Sequence, residues 1–140
     1  MTMGFQLGVL GLTVAASLAG CSLRPTAPPV TPEGTPGYSN ISPAELAELL
    51  EQKDFYFVNT HVPYEGEIEA TDAFLPFDQI EQDVGRLPAD KDAKIVLYCR
   101  SGRMSAIAAD TLLRLGFANV WNLEGGMIAW AEAGLPLLGR

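Results

Sequence analysis

One short segment of the sequence combines a thiol, positive charge and backbone freedom: CRSGRMS, residues 99–105. Cys99 ends an apolar run and precedes a helical pattern, which places it at a strand-to-helix turn. Gly102 permits backbone conformations in which successive N–H groups converge on an anion. Arg100 and Arg103 add positive charge, and a cysteine beside cations or a helix N-terminus is commonly a thiolate. The segment therefore predicts a nucleophilic thiolate in an anion-binding loop.

The spacing within this loop bears on which anion it would hold. Ser101 and Ser105 add hydroxyls that can hydrogen-bond a sulfur anion or cap the helix. Enzymes of the tyrosine phosphatase type place an arginine six residues after the cysteine, where this chain has Ser105; Arg103 comes four residues after Cys99. A persulfide is a smaller anion that backbone N–H groups can stabilise by themselves, so the spacing favours sulfur over phosphoryl chemistry. The alternative is a buried, unreactive cysteine with two arginines nearby by chance.

Strand and helix patterns alternate around this loop. Continuous or strand-forming apolar runs cover residues 55–59, 94–98 and 119–123. Helical patterns cover four segments: 41–54, 77–88 around Ile80, Val84 and Leu87, 105–116, and 125–134. The alternation predicts an α/β fold with a mainly parallel sheet, in which ligands bind beyond the carboxyl ends of the strands. Cys99 lies at such an end.

Details of the predicted helices come from their caps and apolar spacing. Ser42, Pro43 and Glu45 form a capping box with proline at the first helical position. In the helix of residues 105–116 we expect three apolar side chains to point inward and a glycine to end the helix: Ile107, Leu112, Leu115 and Gly116.

The overall composition excludes some partners. A length of 140 residues indicates one domain, and a net charge of −8 argues against binding nucleic acid or docking on anionic lipid through basic patches. We expect a monomer.

The N-terminus has the features of an export signal. Residues 4–20 carry no charge, and residues 18–21, LAGC, resemble the lipobox of bacterial lipoproteins. The resemblance implies a signal peptide over residues 1–20, lipidation of Cys21 and an extracytoplasmic protein anchored to a bacterial membrane by lipid. An uncleaved transmembrane anchor is the alternative.

Residues 21–37 are rich in proline and threonine, which indicates an extended tether rather than a folded element. A proline-rich peptide ligand is the alternative interpretation. The folded domain is then expected over residues 38–140. With Cys21 lipidated, Cys99 is the only thiol left in the chain.

The second half of the domain resembles the rhodanese sulfurtransferase family. The resemblance rests on three features of residues 98–137: the cysteine loop, the GF-x-N-V turn and the closing GG-x-x-A-W-x-x-x-G-x-P. It implies a five-stranded parallel sheet between helices and a persulfide carried on Cys99. It also implies an active-site loop formed by Arg100, Ser101, Gly102, Arg103, Met104 and Ser105.

The first half departs from the family pattern. Asn59, Thr60 and His61 stand where members often have Asp-Val-Arg, and an acidic loop with Glu65, Glu67, Glu69 and Asp72 follows. His61 is a candidate accessory residue, with a structural or surface histidine as the alternative. The acidic residues are interpreted as a solvated loop, Tyr64 and Phe74 as possible walls of the pocket. We expect no metal and no cofactor.

Two functions from different classes remain open. The first is a sulfurtransferase or persulfide carrier that takes sulfur from a small sulfur-containing anion and passes it to a thiol, cyanide or a protein acceptor. The second is a lipid-anchored binding or sensor module with little turnover, which the altered corner and acidic loop favour because negative charge repels anionic donors. A phosphatase or arsenate reductase relative ranks third because of the loop spacing.

Overall fold

Five parallel strands form the single sheet of the computed structural model, which describes residues 37–139. The strands are β1 (Ser39–Ile41), β2 (Tyr56–Asn59), β3 (Ala73–Phe74), β4 (Ile95–Tyr98) and β5 (Val120–Leu123). Their order across the sheet is β1-β5-β4-β2-β3, and every neighbouring pair is parallel. The α/β fold with a five-stranded parallel sheet is thus confirmed.

Three α-helices cover the two faces of the sheet: α1 (Pro43–Glu51), α2 (Arg103–Arg114) and α3 (Gly126–Glu132). A 3₁₀ helix spans Val84–Arg86. None of the helices in residues 37–139 is long and apolar enough to span a membrane. Three predicted features lie outside the described residues: the signal peptide (1–20), Cys21, and all but the last residue of the tether (21–37).

The central strand β4 explains the continuous apolar run before Cys99. All four of its residues are buried. Ile95 and Leu97 face the core beneath α2, whereas Val96 and Tyr98 face the core beneath α1 and α3. Both faces of the strand are covered. A polar side chain without a hydrogen-bond partner would therefore destabilise the fold at any position of β4.

The capping box of α1 is confirmed. The Ser42 side chain accepts a hydrogen bond from the Glu45 backbone N–H, and the Glu45 carboxylate accepts one from the Ser42 N–H at 2.9 Å. Hydrogen bonds from Ser42 lower the pKa of the Glu45 carboxyl, the side-chain bond most.

Two details of the helix predictions were wrong. Residues 77–88 form successive turns with one short 3₁₀ segment instead of a helix; Ile80 and Leu87 are buried as their spacing suggested, but Gly85 and Pro88 oppose a continuous helix. Ile107 is 46% exposed. The helix α2 meets the sheet through a stripe of mostly small residues that allows close approach: Ser105, Ala108, Ala109 and Leu112.

Candidate active site

Cys99 directly follows β4 at the carboxyl edge of the sheet, and its side chain is a free, buried thiol. Two donors converge on its sulfur. The backbone N–H of Gly102 donates to Sγ at 3.1 Å, and the hydroxyl of Ser105 donates to Sγ at 3.5 Å. Both donors stabilise negative charge on the sulfur, because a hydrogen bond to an ionised acceptor is stronger than one to a neutral acceptor.

The backbone of Gly102 is what aims the first donor. Gly102 has φ +87° and immediately precedes α2, so its N–H turns back toward Cys99. A Cβ at this position would lie 3.3 Å from the Gly125 nitrogen and 3.3 Å from the Leu123 oxygen. The turn therefore needs glycine both for its conformation and for its packing.

Backbone N–H groups in the first turn of α3 donate hydrogen bonds to the cysteine loop. The N–H of Met127 donates to the Cys99 carbonyl at 2.9 Å, and the N–H of Ile128 donates to the Arg100 carbonyl at 3.0 Å. A Cβ on Gly126 would overlap the Cys99 carbonyl oxygen and lie 2.7 Å from the Arg100 carbonyl carbon. The sequence analysis did not predict that the first turn of α3 holds the cysteine loop. The sequence feature that could have indicated this contact is the pair of glycines in GGMIAW.

The corner after β2 lies beside the loop, because β2 and β4 are neighbours. Thr60 donates twice to the Tyr98 carbonyl, from its backbone N–H at 2.8 Å and its hydroxyl at 3.0 Å. Asn59 donates to the Gly66 carbonyl at 3.0 Å and accepts from the His61 N–H at 3.0 Å. These side chains hold together the corner that departs from the family pattern.

His61 is buried, with 6% of its surface exposed, which excludes the surface interpretation. Its Nε2 lies 3.1 Å from Oε2 of Glu65, within ion-pair distance, but the two atoms are not aligned as a directed hydrogen bond. Its Nδ1 has no hydrogen-bond partner among the described residues. The same Glu65 oxygen lies 3.6 Å from Nε of Arg100. Glu65 thus connects the buried histidine to the cysteine loop.

The two loop arginines differ in their surroundings. Both are exposed. Arg100 faces the Glu65 carboxylate, whereas Arg103 forms no ion pair with another described residue. Of the other predicted loop residues, Ser101 is exposed and Met104 is half-buried.

Glu65, Glu69 and Asp72 are exposed and Glu67 is half-buried, in agreement with the interpretation of a solvated loop, but two of these acids also form ion pairs. Glu65 lies within ion-pair distance of His61 and Arg100, as described above. Asp72 forms an ion pair with Lys53 at 2.6 Å and accepts the Phe57 N–H at 2.7 Å, so it ties the loop to β2. No group of three potential metal ligands occurs in residues 37–139. The predicted pocket walls Tyr64 and Phe74 meet edge to face, with ring centroids 5.8 Å apart.

Tyr98, the last residue of β4, holds the acidic loop through its side-chain hydroxyl. Its hydroxyl accepts the Ile68 N–H at 3.0 Å and lies 2.8 Å from the Thr71 hydroxyl. Burial, only partly offset by these two hydrogen bonds, raises the pKa of Tyr98 to about 12. The residue before Cys99 therefore stays neutral and fixes the acidic loop against β4.

Comparisons with known proteins match most of the described residues to one domain family. The family model for the rhodanese-like domain matches residues 42–133. A sulfurtransferase from Allochromatium vinosum is 38% identical over 92 residues, which are 64% of this chain and 84% of that protein. A tRNA uridine(34) hydroxylase from Erwinia tasmaniensis is 34% identical over 107 residues, which are 69% of this chain but only 31% of the hydroxylase.

A solved structure shows the same fold. The crystal structure of a rhodanese-related protein from Thermoplasma volcanium has a TM-score of 0.61 and 28% sequence identity. The match covers 72% of this chain and 98% of that one.

Proposed function

The chain belongs to the rhodanese-like domain family, and we propose that it transfers sulfane sulfur through a persulfide on Cys99. The family and a sulfurtransferase relative support sulfur transfer in general. The observation that carries the specific proposal is the convergence of the Gly102 N–H and the Ser105 hydroxyl on Sγ of Cys99.

The proposed reaction has two half-reactions. The Cys99 thiolate attacks the outer sulfur of a donor such as thiosulfate, a polysulfide or another persulfide. With thiosulfate, the new Sγ–S bond forms as the donor S–S bond breaks, and sulfite leaves with the bonding electron pair. An acceptor thiol or cyanide then attacks the outer sulfur of the Cys99 persulfide and regenerates the thiolate. The loop donors hold the anion in both resting and loaded forms.

The loop is less suited to phosphoryl transfer. The position six residues after Cys99 is Ser105, and its hydroxyl points to the sulfur instead of clamping three phosphate oxygens. The name of the hydroxylase relative mentions tRNA, but two features of this chain argue against a tRNA substrate. The chain spans 31% of that protein and carries a net charge of −8.

A second candidate is a rhodanese-fold binding or sensor module with little turnover. The observation in its favour is the burial of Cys99, which is only 1% exposed, next to an arginine already paired with Glu65. This candidate shares the persulfide site but not rapid release of sulfur.

We also propose that the protein works outside the cytoplasm, anchored to a bacterial membrane through lipid on Cys21. The support is the LAGC sequence at residues 18–21 and the proline-rich segment that follows it. In that arrangement the acceptor is a thiol or a protein at the membrane surface.

Mass spectrometry tests the central proposal. The full-length Cys21→Ala chain, purified in detergent, retains Cys99 as its only thiol. After incubation with thiosulfate or polysulfide it should gain the mass of one sulfur atom, and cyanide or a reductant should remove it. The double variant with Cys99→Ser should gain nothing. A chain that stays unmodified with every donor tried would exclude sulfur transfer. Loading without release to thiols or cyanide would favour the binding module.

A further inference from the structure

We propose that Glu65 determines donor specificity: it neutralises Arg100 and so disfavours dianionic donors such as thiosulfate relative to persulfide donors of low net charge. This inference rests on the proposed sulfur transfer at Cys99. Its starting point is a single carboxylate oxygen, Oε2 of Glu65, which lies 3.6 Å from Nε of Arg100 and 3.1 Å from Nε2 of His61.

The backbone around Glu65 is held at both ends. On one side the N–H of His61 donates to Oδ1 of Asn59 at 3.0 Å. On the other side Nδ2 of Asn59 donates to the Gly66 carbonyl at 3.0 Å. Asn59 itself is completely buried at the end of β2. The carboxylate therefore approaches Arg100 from a fixed five-residue loop rather than from a freely moving surface chain.

The charge balance beside Cys99 follows from this placement. Arg100 is the residue after the nucleophile, and its own carbonyl is fixed by the Ile128 N–H at 3.0 Å. Pairing with Glu65 cancels much of its attraction for an incoming anion, and Arg103 is left as the loop cation without an ion pair among the described residues. A dianion loses about twice as much from this cancellation as a monoanion, because the Coulomb energy is proportional to charge.

A donor that is not a dianion can react with Cys99 in the same way and loses less from the pairing of Arg100 with Glu65. Cysteamine persulfide carries an ammonium group, so its net charge is close to zero when the persulfide is ionised. The Cys99 thiolate attacks the outer sulfur of the protonated persulfide, whose net charge is +1. The new Sγ–S bond forms as the donor S–S bond breaks, and cysteamine leaves as the thiolate with the bonding electron pair. No additional oxidant or reductant is needed.

The experiment compares two donors in three full-length proteins: wild type, Glu65→Gln and Glu69→Gln. Glutamine keeps the shape of Glu65 and one acceptor oxygen but removes its charge. Glu69 is an exposed acid of the same loop with no ion pair to a described residue, so it controls for net charge. We expect Glu65→Gln to raise kcat/KM for thiosulfate about five- to tenfold, mainly through KM. The value for cysteamine persulfide should change less than about twofold, and Glu69→Gln should resemble wild type.

Ionic strength provides a second readout that a merely structural role would not affect. The thiosulfate advantage of Glu65→Gln should shrink as salt rises from about 0.01 to 1 M, because partly exposed charges are screened. Equal changes with both donors, or no change with thiosulfate, would refute the specificity role of Glu65. Those outcomes leave sulfur loading of Cys99 intact, whereas failure of every donor to load Cys99 would refute the proposed function itself.

Discussion

Met127 donates its backbone N–H to the carbonyl oxygen of Cys99 at 2.9 Å, so the first turn of α3 holds the backbone of the candidate nucleophile. Gly126 precedes Met127 in the chain and has φ +56°, and a Cβ on it would overlap the same carbonyl oxygen of Cys99. The close backbone contact is possible only because Gly126 has no side chain. The position of Cys99 thus depends on a helix that begins 27 residues later in the sequence.

Gly126→Ala should destabilise the fold and displace the loop. The new Cβ would overlap the Cys99 carbonyl oxygen and stand in a left-handed conformation, which together cost about 3 kcal/mol. Urea unfolding should show this loss, and sulfur loading should fall with it. Gly85→Ala is the matched control: it has no atom within 4 Å of the added Cβ, so its stability should change by less than about 1 kcal/mol. Wild-type stability and loading in Gly126→Ala would contradict the support by α3.

Arg103→Ala should weaken the use of thiosulfate about tenfold, mainly through KM, because a charge-assisted hydrogen bond or steering charge is lost. Turnover with cysteamine persulfide should largely survive. Steady-state kinetics with both donors measure the effect, and Arg114→Ala, at the far end of α2, is the control. Hydrolysis of aryl phosphates by the wild type that disappears in Arg103→Ala would instead establish phosphatase chemistry.

Ser105→Ala should slow the loading of Cys99 about tenfold, since the sulfur loses one of its two donors. Single-turnover loading followed by mass spectrometry measures the rate. Ser101→Ala removes an exposed hydroxyl of the same loop and should load at the wild-type rate. Equal rates in the two variants would show that the hydroxyl of Ser105 has no part in the reaction.

Tyr98→Phe should change both the stability and its dependence on pH. At neutral pH the variant should lose about 1–3 kcal/mol, because the buried Ile68 N–H is left without its acceptor.

Burial raises the pKa of Tyr98 to about 12, whereas the unfolded tyrosine ionises near pH 10. Below pH 10 both states are protonated and this stabilisation is complete. Between pH 10 and about 12 only the unfolded state ionises, so the wild type should lose up to about 1.4 kcal/mol per pH unit from this group. Urea unfolding from pH 8 to 11 should show a smaller decline for Tyr98→Phe. Tyr64→Phe, which alters a half-exposed ring, should decline as the wild type does. Identical declines in all three proteins would contradict the role of Tyr98.

Cys21→Ala should abolish incorporation of labelled fatty acid in a bacterial host, while the unaltered chain should be labelled and sediment with membranes. Cys99→Ser is the control for labelling of the other thiol and should be labelled normally. Labelling that persists in Cys21→Ala would refute lipidation at Cys21. Membrane retention without any labelling would indicate an uncleaved anchor.

Local features of this protein were readable from the sequence because they involve residues close together in the chain. The capping box of α1 joins residues 42 and 45, and the apolar run of β4 reflects burial on both faces. The cysteine loop is also local: Gly102 and Ser105 reach Cys99 from three and six residues away. The sequence therefore determined the fold class and the site of the candidate nucleophile.

Other features depended on contacts between distant segments. The strands β1 and β3 have three and two residues and exist through pairing with β5 and β2, so no periodicity marked them. The apolar spacing of residues 77–88 came from contact with the core through successive turns rather than from a helix.

The surroundings of Cys99 were decided in the same way. Parallel pairing of β2 with β4 brings the loop of Glu65 to Arg100, 35 positions later in the sequence, and α3 packs its first turn on the carbonyls of the cysteine loop. Sequence alone showed that the loop had two arginines and that an acidic segment existed. Only the tertiary structure decided which arginine the acid neutralises, because electrostatic pairing depends on distance in space and not on separation along the chain.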